Sequence, residues 1–250
     1  NKGNKNYYTM SFDVTFPRDT TLVYMAYHFP YTYTRLKAHL NMIRPPENVI
    51  FQRQTLCQTL LHNKVDLVTI TGAENYSKPI SNREYIVISA RVHPGETNSS
   101  WIMKGVLDFL VSDHKVAEAA RNEFIFKLVP MLNPDGCIIG NHRTNMAKFD
   151  LNRQWEMPNP NMSPSIYYLK GFIASLNAKG KSPMCYIDLH GHSLKKNAFI
   201  FGCDGTADVL ALPRIVFDDD YIDSLLISKS RKRFYFKDYA ILIFKNKSLP

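Results

Sequence analysis

Tyr85-Ile-Val-Ile-Ser-Ala-Arg-Val-His-Pro-Gly-Glu96 changes character twice within twelve residues, and it decides the fold. Its first half, Tyr85 to Ala90, is a short apolar run of the kind found in strands buried on both faces. Pro94 and Gly95 end that strand. Beyond them Thr97, Asn98 or Ser99 can cap a helix. Ile102, Val106, Phe109 and Leu110 then share one stripe, so the spacing predicts an amphipathic helix over Ser99 to Val111.

The same alternation recurs outward from this unit. Val65 to Ile70, Phe124 to Met131 and Met184-Cys-Tyr-Ile-Asp-Leu189 read as further buried strands. Asn133-Pro-Asp-Gly136 reads as a turn that stops the second of them. Ile166, Leu169, Ile173 and Leu176 predict a helix from Pro164 to Ala178, with Gly180 beyond its end. Strands alternating with helices imply an α/β sheet covered on both sides. Towards the N-terminus, Ser11-Phe-Asp-Val-Thr-Phe16 and Leu22-Val-Tyr-Met-Ala-Tyr27 read as strands, too few to make a stable sheet alone. A short helix over Tyr31 to Leu40 and a break at Arg44-Pro-Pro-Glu47 follow.

The 250 residues are 45% hydrophobic and 21% charged, which suits a globular protein. There is no apolar run of about 18 residues, hence no candidate membrane span and no membrane partner. Asn1-Lys-Gly-Asn-Lys-Asn-Tyr-Tyr8 lacks the apolar core of a signal peptide and does not begin with Met, as expected of a processed chain or a fragment. Cys57, Cys137, Cys185 and Cys203 have no close spacing, so reduced thiols in the cytoplasm are expected. A formal net charge of +9 favours acidic partners by steering. Nothing in the sequence carries a nucleic-acid-binding signature.

Three metal-competent residues fall at strand ends: His93 and Glu96 after Tyr85–Ala90, and His190 after Leu189. Ligand sites of open α/β sheets lie at the carboxyl ends of strands, and two histidines with one glutamate are a ligand set of catalytic zinc. Pro94-Gly95 makes a tight turn that could aim the first two ligands at one ion. Taken singly, each motif is bland: His-x-x-Glu occurs by chance, and Asp150-Leu-Asn-Arg153 alone would be a capped loop with a solvated arginine.

In order along one chain, His93-Pro-Gly-Glu96, Asn133-Pro-Asp-Gly136, Asn141-His-Arg143, Asp150-Leu-Asn-Arg-Gln-Trp155 and Asp188-Leu-His-Gly-His-Ser193 resemble the signature of zinc carboxypeptidases. The likeness is greatest to the cytosolic carboxypeptidase branch, whose members shorten glutamate chains on tubulin and related proteins. Phe29-Pro-Tyr-Thr-Tyr33 and Asn63-Lys-Val-Asp-Leu-Val-Thr-Ile70 share in it, and the similarity runs from about Tyr8 to Cys203. The resemblance implies a mixed, mostly parallel sheet with helices on both faces, preceded by the end of a β-sandwich domain. Residues 1–40 would be the end of that β-rich domain and its linker, and 41–250 a catalytic domain incomplete at its C-terminus. His93, Glu96 and His190 would hold Zn2+. Asp150 would fix the His93 ring, Asn152 and Arg153 would clamp the substrate's terminal carboxylate, and Arg143 would stabilise the oxyanion. The implied partners are polypeptide C-termini or glutamate side chains, tubulin among them.

The resemblance also requires a general-base glutamate downstream of the third ligand, yet the last glutamate is Glu156. Phe236-Lys-Asp-Tyr-Ala-Ile-Leu-Ile-Phe-Lys-Asn-Lys247 looks like the family segment that precedes it, so truncation is the first explanation and a degenerate enzyme the second. Loss of such a base typically costs about 10²–10⁴-fold in rate. Weaker candidates are His192 and the Lys195-Lys196 pair near substrate, Asp218-Asp-Asp220 as a surface turn, and the small basic patch Ser230-Arg-Lys-Arg233. Two alternatives stand beside the peptidase: a zinc amidohydrolase of N-acyl amino acids, and a non-catalytic module that grips acidic tails.

Overall fold

A computed structural model describes residues 28–74 and 78–192, residues 9, 11–16, 18–19 and 22–26 before them, and the backbone of 198–202 and 240–244. Among the described residues seven strands form one sheet: β1 Val49–Gln58, β2 Lys64–Gly72, β3 Glu84–Ala90, β4 Phe124–Val129, β5 Cys185–His190, β6 Ala198–Gly202 and β7 Ala240–Phe244, in the order β1-β2-β4-β3-β5-β7-β6. The sheet is mixed. β4-β3-β5 pair in parallel at its centre, as do β7 and β6, while β1-β2, β2-β4 and β5-β7 are antiparallel.

Period-2 alternation along the central strands separates two apolar cores. On one face Val68, Ile70, Ile88, Ala90, Phe126, Leu128 and Leu189 meet α1 (Tyr33–Met42) and α2 (Thr97–Leu110) through Leu36, Leu40, Met103 and Leu107. On the other, Leu67, Val87, Val129 and Tyr186 meet α5 (Pro164–Ala178) through Ile166, Leu169 and Ile173. In the chain, α3 (Lys115–Glu123) and the short α4 (Pro134–Ile139) come between α2 and α5, and Ala120 and Cys137 pack them against the first core.

The central strands and α5 lie where periodicity places them, and Gly180 follows α5 with φ 66°. Three local expectations are corrected. Ser11–Phe16 and residues 22–26 are not strands. They have no ladder partner among the described residues, and Phe12, Phe16, Leu22 and Tyr24 stay exposed, as an unsupported pair of short segments would. Asn133-Pro-Asp-Gly136 opens α4 instead of merely turning. The Asn133 Oδ1 accepts from the Gly136 amide at 3.0 Å and Pro134 takes the first helical position, where its missing N–H costs nothing. Nor do Thr97, Asn98 or Ser99 cap α2. Glu96 holds the capping position without a capping bond, because its carboxylate turns away towards two histidines.

Candidate metal centre

Immediately after β3, Arg91 adopts φ 56°, a left-handed backbone that a non-glycine residue rarely takes. Its buried guanidinium holds the turn: Nε donates to the Pro94 carbonyl at 2.8 Å and Nη1 to Ser100 Oγ at 2.8 Å. The chain then reverses through His93-Pro-Gly-Glu96. Only glycine fits at 95, since a Cβ there would stand 2.5 Å from His142 Nδ1 and 2.7 Å from the His142 carbonyl oxygen. The Gly95 amide donates to that same oxygen at 2.7 Å, tying the turn to the 141–143 segment. Alongside, β5 pairs with β3 and delivers His190 at its last position.

The three side chains converge. Glu96 Oε1 lies 2.7 Å from His93 Nδ1, and Glu96 Oε2 lies 3.1 Å from His190 Nδ1, with the Gly191 amide donating to it at 2.7 Å. One donor atom from each residue falls within 4.8 Å of the others. A Cβ on Gly191 would come 3.1 Å from Glu96 Cγ and 2.9 Å from Asn98 Oδ1, so the glycine lets the strand end close on the cluster.

Both rings present Nδ1 inward and rest Nε2 on a carboxylate. His93 Nε2 is 3.1 Å from Asp150 Oδ1, and His190 Nε2 is 2.7 Å from Asp188 Oδ2. This is how metal-ligating histidines are oriented. Burial works against ionisation of Glu96, but hydrogen bonds from His190 and His93 outweigh it and hold the carboxyl at about 2. Burial likewise opposes charge on His190, but Asp188 and Glu96 lift it to about 10. Two imidazole nitrogens with one carboxylate fit zinc and leave a coordination position open.

Asp150 caps the turn Leu151–Arg153 by accepting from the Asn152 amide at 2.9 Å, and its second oxygen accepts from Arg143 Nε at 2.8 Å. Burial raises the Asp150 pKa, but the hydrogen bond and charge of His93, the Asn152 amide and the Arg143 charge together outweigh it, so it lies below the ordinary value. Asn152 Oδ1 accepts from Trp155 Nε1 at 3.1 Å. The Arg153 side chain is exposed, while its backbone amide donates to the Asp150 carbonyl at 3.0 Å. His192 is half-buried beside the cluster, whereas Lys195, Lys196, Asp218–Asp220 and Ser230–Arg233 lie outside the described residues. Sequence reasoning quoted Asp188 within a motif without a role for it, and missed Ser89. The period of a strand could have found the first, because Asp188 and His190 must share a face.

Residues 47–167 match the Peptidase_M14 family, zinc carboxypeptidase. The chain carries a zinc carboxypeptidase domain. It is 49% identical to human Cytosolic carboxypeptidase 1 and 50% identical to human Cytosolic carboxypeptidase 4, over 80% of its own length in each case. It spans only 17% and 19% of those two relatives. Among solved structures, a metallo-carboxypeptidase from Burkholderia cenocepacia superposes with a TM-score of 0.57 at 28% identity, over 65% of this chain and 42% of that one. Among the described residues no helix of this zinc carboxypeptidase domain is long and apolar enough to cross a membrane.

Proposed function

We propose that this chain is the metal-holding part of a cytosolic zinc carboxypeptidase that removes C-terminal residues, glutamates above all, from acidic tails of proteins such as tubulin. The convergence of His93, Glu96 and His190 supports this best, with Arg143 joined to the same cluster through Asp150. Bound zinc would polarise the scissile carbonyl and acidify water. Asp150 keeps the His93 ring in one tautomer. Asn152 has its oxygen engaged by Trp155, so its Nδ2 hydrogens remain to donate to an anion. Arg153 offers a planar fork suited to a terminal carboxylate, and Arg143 supplies positive charge for the oxyanion. Such a clamp makes the enzyme an exopeptidase, since an internal peptide bond offers it nothing to hold.

The glutamate preference draws on the likeness to the cytosolic branch and on the net charge of +9. Peptides ending in Glu, Lys or Leu test it, assayed after zinc stoichiometry has been measured. One zinc per chain, lost in His93→Ala and in His190→Ala, is the expected result, with cleavage about 10²–10⁴-fold below that of an enzyme holding its general base and the Glu peptide preferred in what turnover remains. Best cleavage of the Leu or Lys peptide would overturn the glutamate preference. A second reading, a module that grips acidic tails without turnover, is favoured by the exposed Arg153 side chain. Tight binding of the Glu peptide to zinc-loaded protein without cleavage would select it.

A further inference from the structure

The two histidines are backed in different ways. Asp150, behind His93, is partly open to solvent and shared with Arg143, whose side chain is half-exposed. Asp188, behind His190, is 3% exposed and is held from the opposite side by groups that the proposed chemistry does not use. Ser89 Oγ donates to Asp188 Oδ1 at 2.6 Å, and the same oxygen lies 2.6 Å from the Tyr186 hydroxyl. A serine hydroxyl has one proton. With that proton on Asp188, Tyr186 must be the donor to Ser89. A directed chain results: Tyr186 O–H to Ser89 Oγ, Ser89 O–H to Asp188, Asp188 to the Nε2 proton of His190.

Sheet register makes the chain possible. Ser89 is the direct partner of Asp188, and Val87 that of Tyr186, in the parallel β3-β5 ladder. Side chains at 186, 188 and 190 therefore stand in a row on one face of β5, with Ser89 beside them. Ser89 is 0% and His190 2% exposed, so water does not compete for these bonds. The far end is packed too: the Trp155 ring stands edge-on to Tyr186, 5.6 Å between centroids.

We infer that Tyr186, Ser89 and Asp188 act as positioning residues for His190, a dry hydrogen-bonded support that fixes its Nδ1 as a metal donor. The inference rests on the zinc reading above. Loss of a group supporting a metal ligand typically weakens metal binding about 10–100-fold. The test is competition of purified full-chain protein against a chromophoric chelator, for native, Asp188→Asn, Ser89→Ala and Tyr186→Phe. The absorption spectrum of each Co2+-substituted form is recorded alongside. Expected are a zinc Kd weakened about 10–100-fold in Asp188→Asn and smaller graded losses in Ser89→Ala and Tyr186→Phe. The cobalt bands should shift in the same order. Tyr186→Phe keeps the ring and its packing, so a metal-free melting temperature close to native would separate positioning from a folding defect. Native zinc affinity and an unshifted cobalt spectrum in all three variants would overturn the support. Absence of zinc binding in the native chain would overturn the zinc reading itself, and the support with it.

Discussion

Asp150 serves three neighbours at once: the His93 ring, the Arg143 guanidinium and the backbone amide of Asn152. Asp150→Asn keeps the shape but loses the charge that pairs with Arg143 and orients His93. The expected outcome is zinc bound about 10–100-fold more weakly, read by chelator competition. Trp155 acts one bond further out. Trp155→Phe removes the donor to Asn152 Oδ1 and frees the amide to rotate, so affinity for a substrate carboxylate should fall while zinc stoichiometry stays at one. Inhibition by a small dicarboxylate, measured beside metal content, checks this. A parallel loss of zinc would mean that Trp155 supports the metal ligands instead.

Among the elements, the β3–turn–α2 unit carries two of the three clustered side chains, His93 and Glu96, and its turn fits only because residue 95 lacks a side chain. Gly95→Ala must displace the His142 backbone or distort the turn. Overpacking of this kind typically costs about 1–3 kcal/mol, which a thermal melt would register. A melting temperature equal to native would show that the 141–143 segment moves freely. This unit was legible in the sequence because a buried apolar run, Pro-Gly and a helical stripe follow one another without overlap. α5 was legible for the same reason. β1 was not: Phe51-Gln-Arg-Gln-Thr55 is mostly polar, as befits a strand at the sheet edge with few positions facing a core. α3 was missed because its alanines and charges form no broad apolar stripe. The grouping of His93, Glu96 and His190 was legible from motif order, whereas Asp188, though part of a quoted motif, had no legible role, since a carboxylate inside a buried strand shows its part only when its cross-strand partner Ser89 is known. Ser11–Phe16 shows the converse error, an alternating pattern with nothing to pair against.

For the whole molecule, the cluster links stability to pH and to metal. In the metal-free protein the His190 pKa of about 10, raised from 6.5, favours the folded state fully below 6.5. That contribution fades as pH rises through 10. Glu96, lowered from 4.5 to about 2, contributes above 4.5 and loses this as pH falls towards 2. Zinc binding must displace the His190 proton. The melting temperature of chelator-treated protein should therefore decline from pH 6.5 to 10, and the increment from saturating zinc should grow over the same window. His190→Gln should abolish both trends. A zinc increment that is flat with pH would mean that His190 binds metal without giving up a proton.

His93 and Glu96 are neighbours in the chain, but His190 is 94 residues beyond Glu96, and the three meet only once β5 lies along β3. Before that docking, the chain offers a cation two adjacent ligands and little affinity. Such a distant pairing is slow to form because the intervening loop must close first. Metal capture thus belongs to the last stages of folding: zinc added to a refolding reaction should leave the early rate unchanged and chiefly slow the reverse process, as interactions absent from the transition state do.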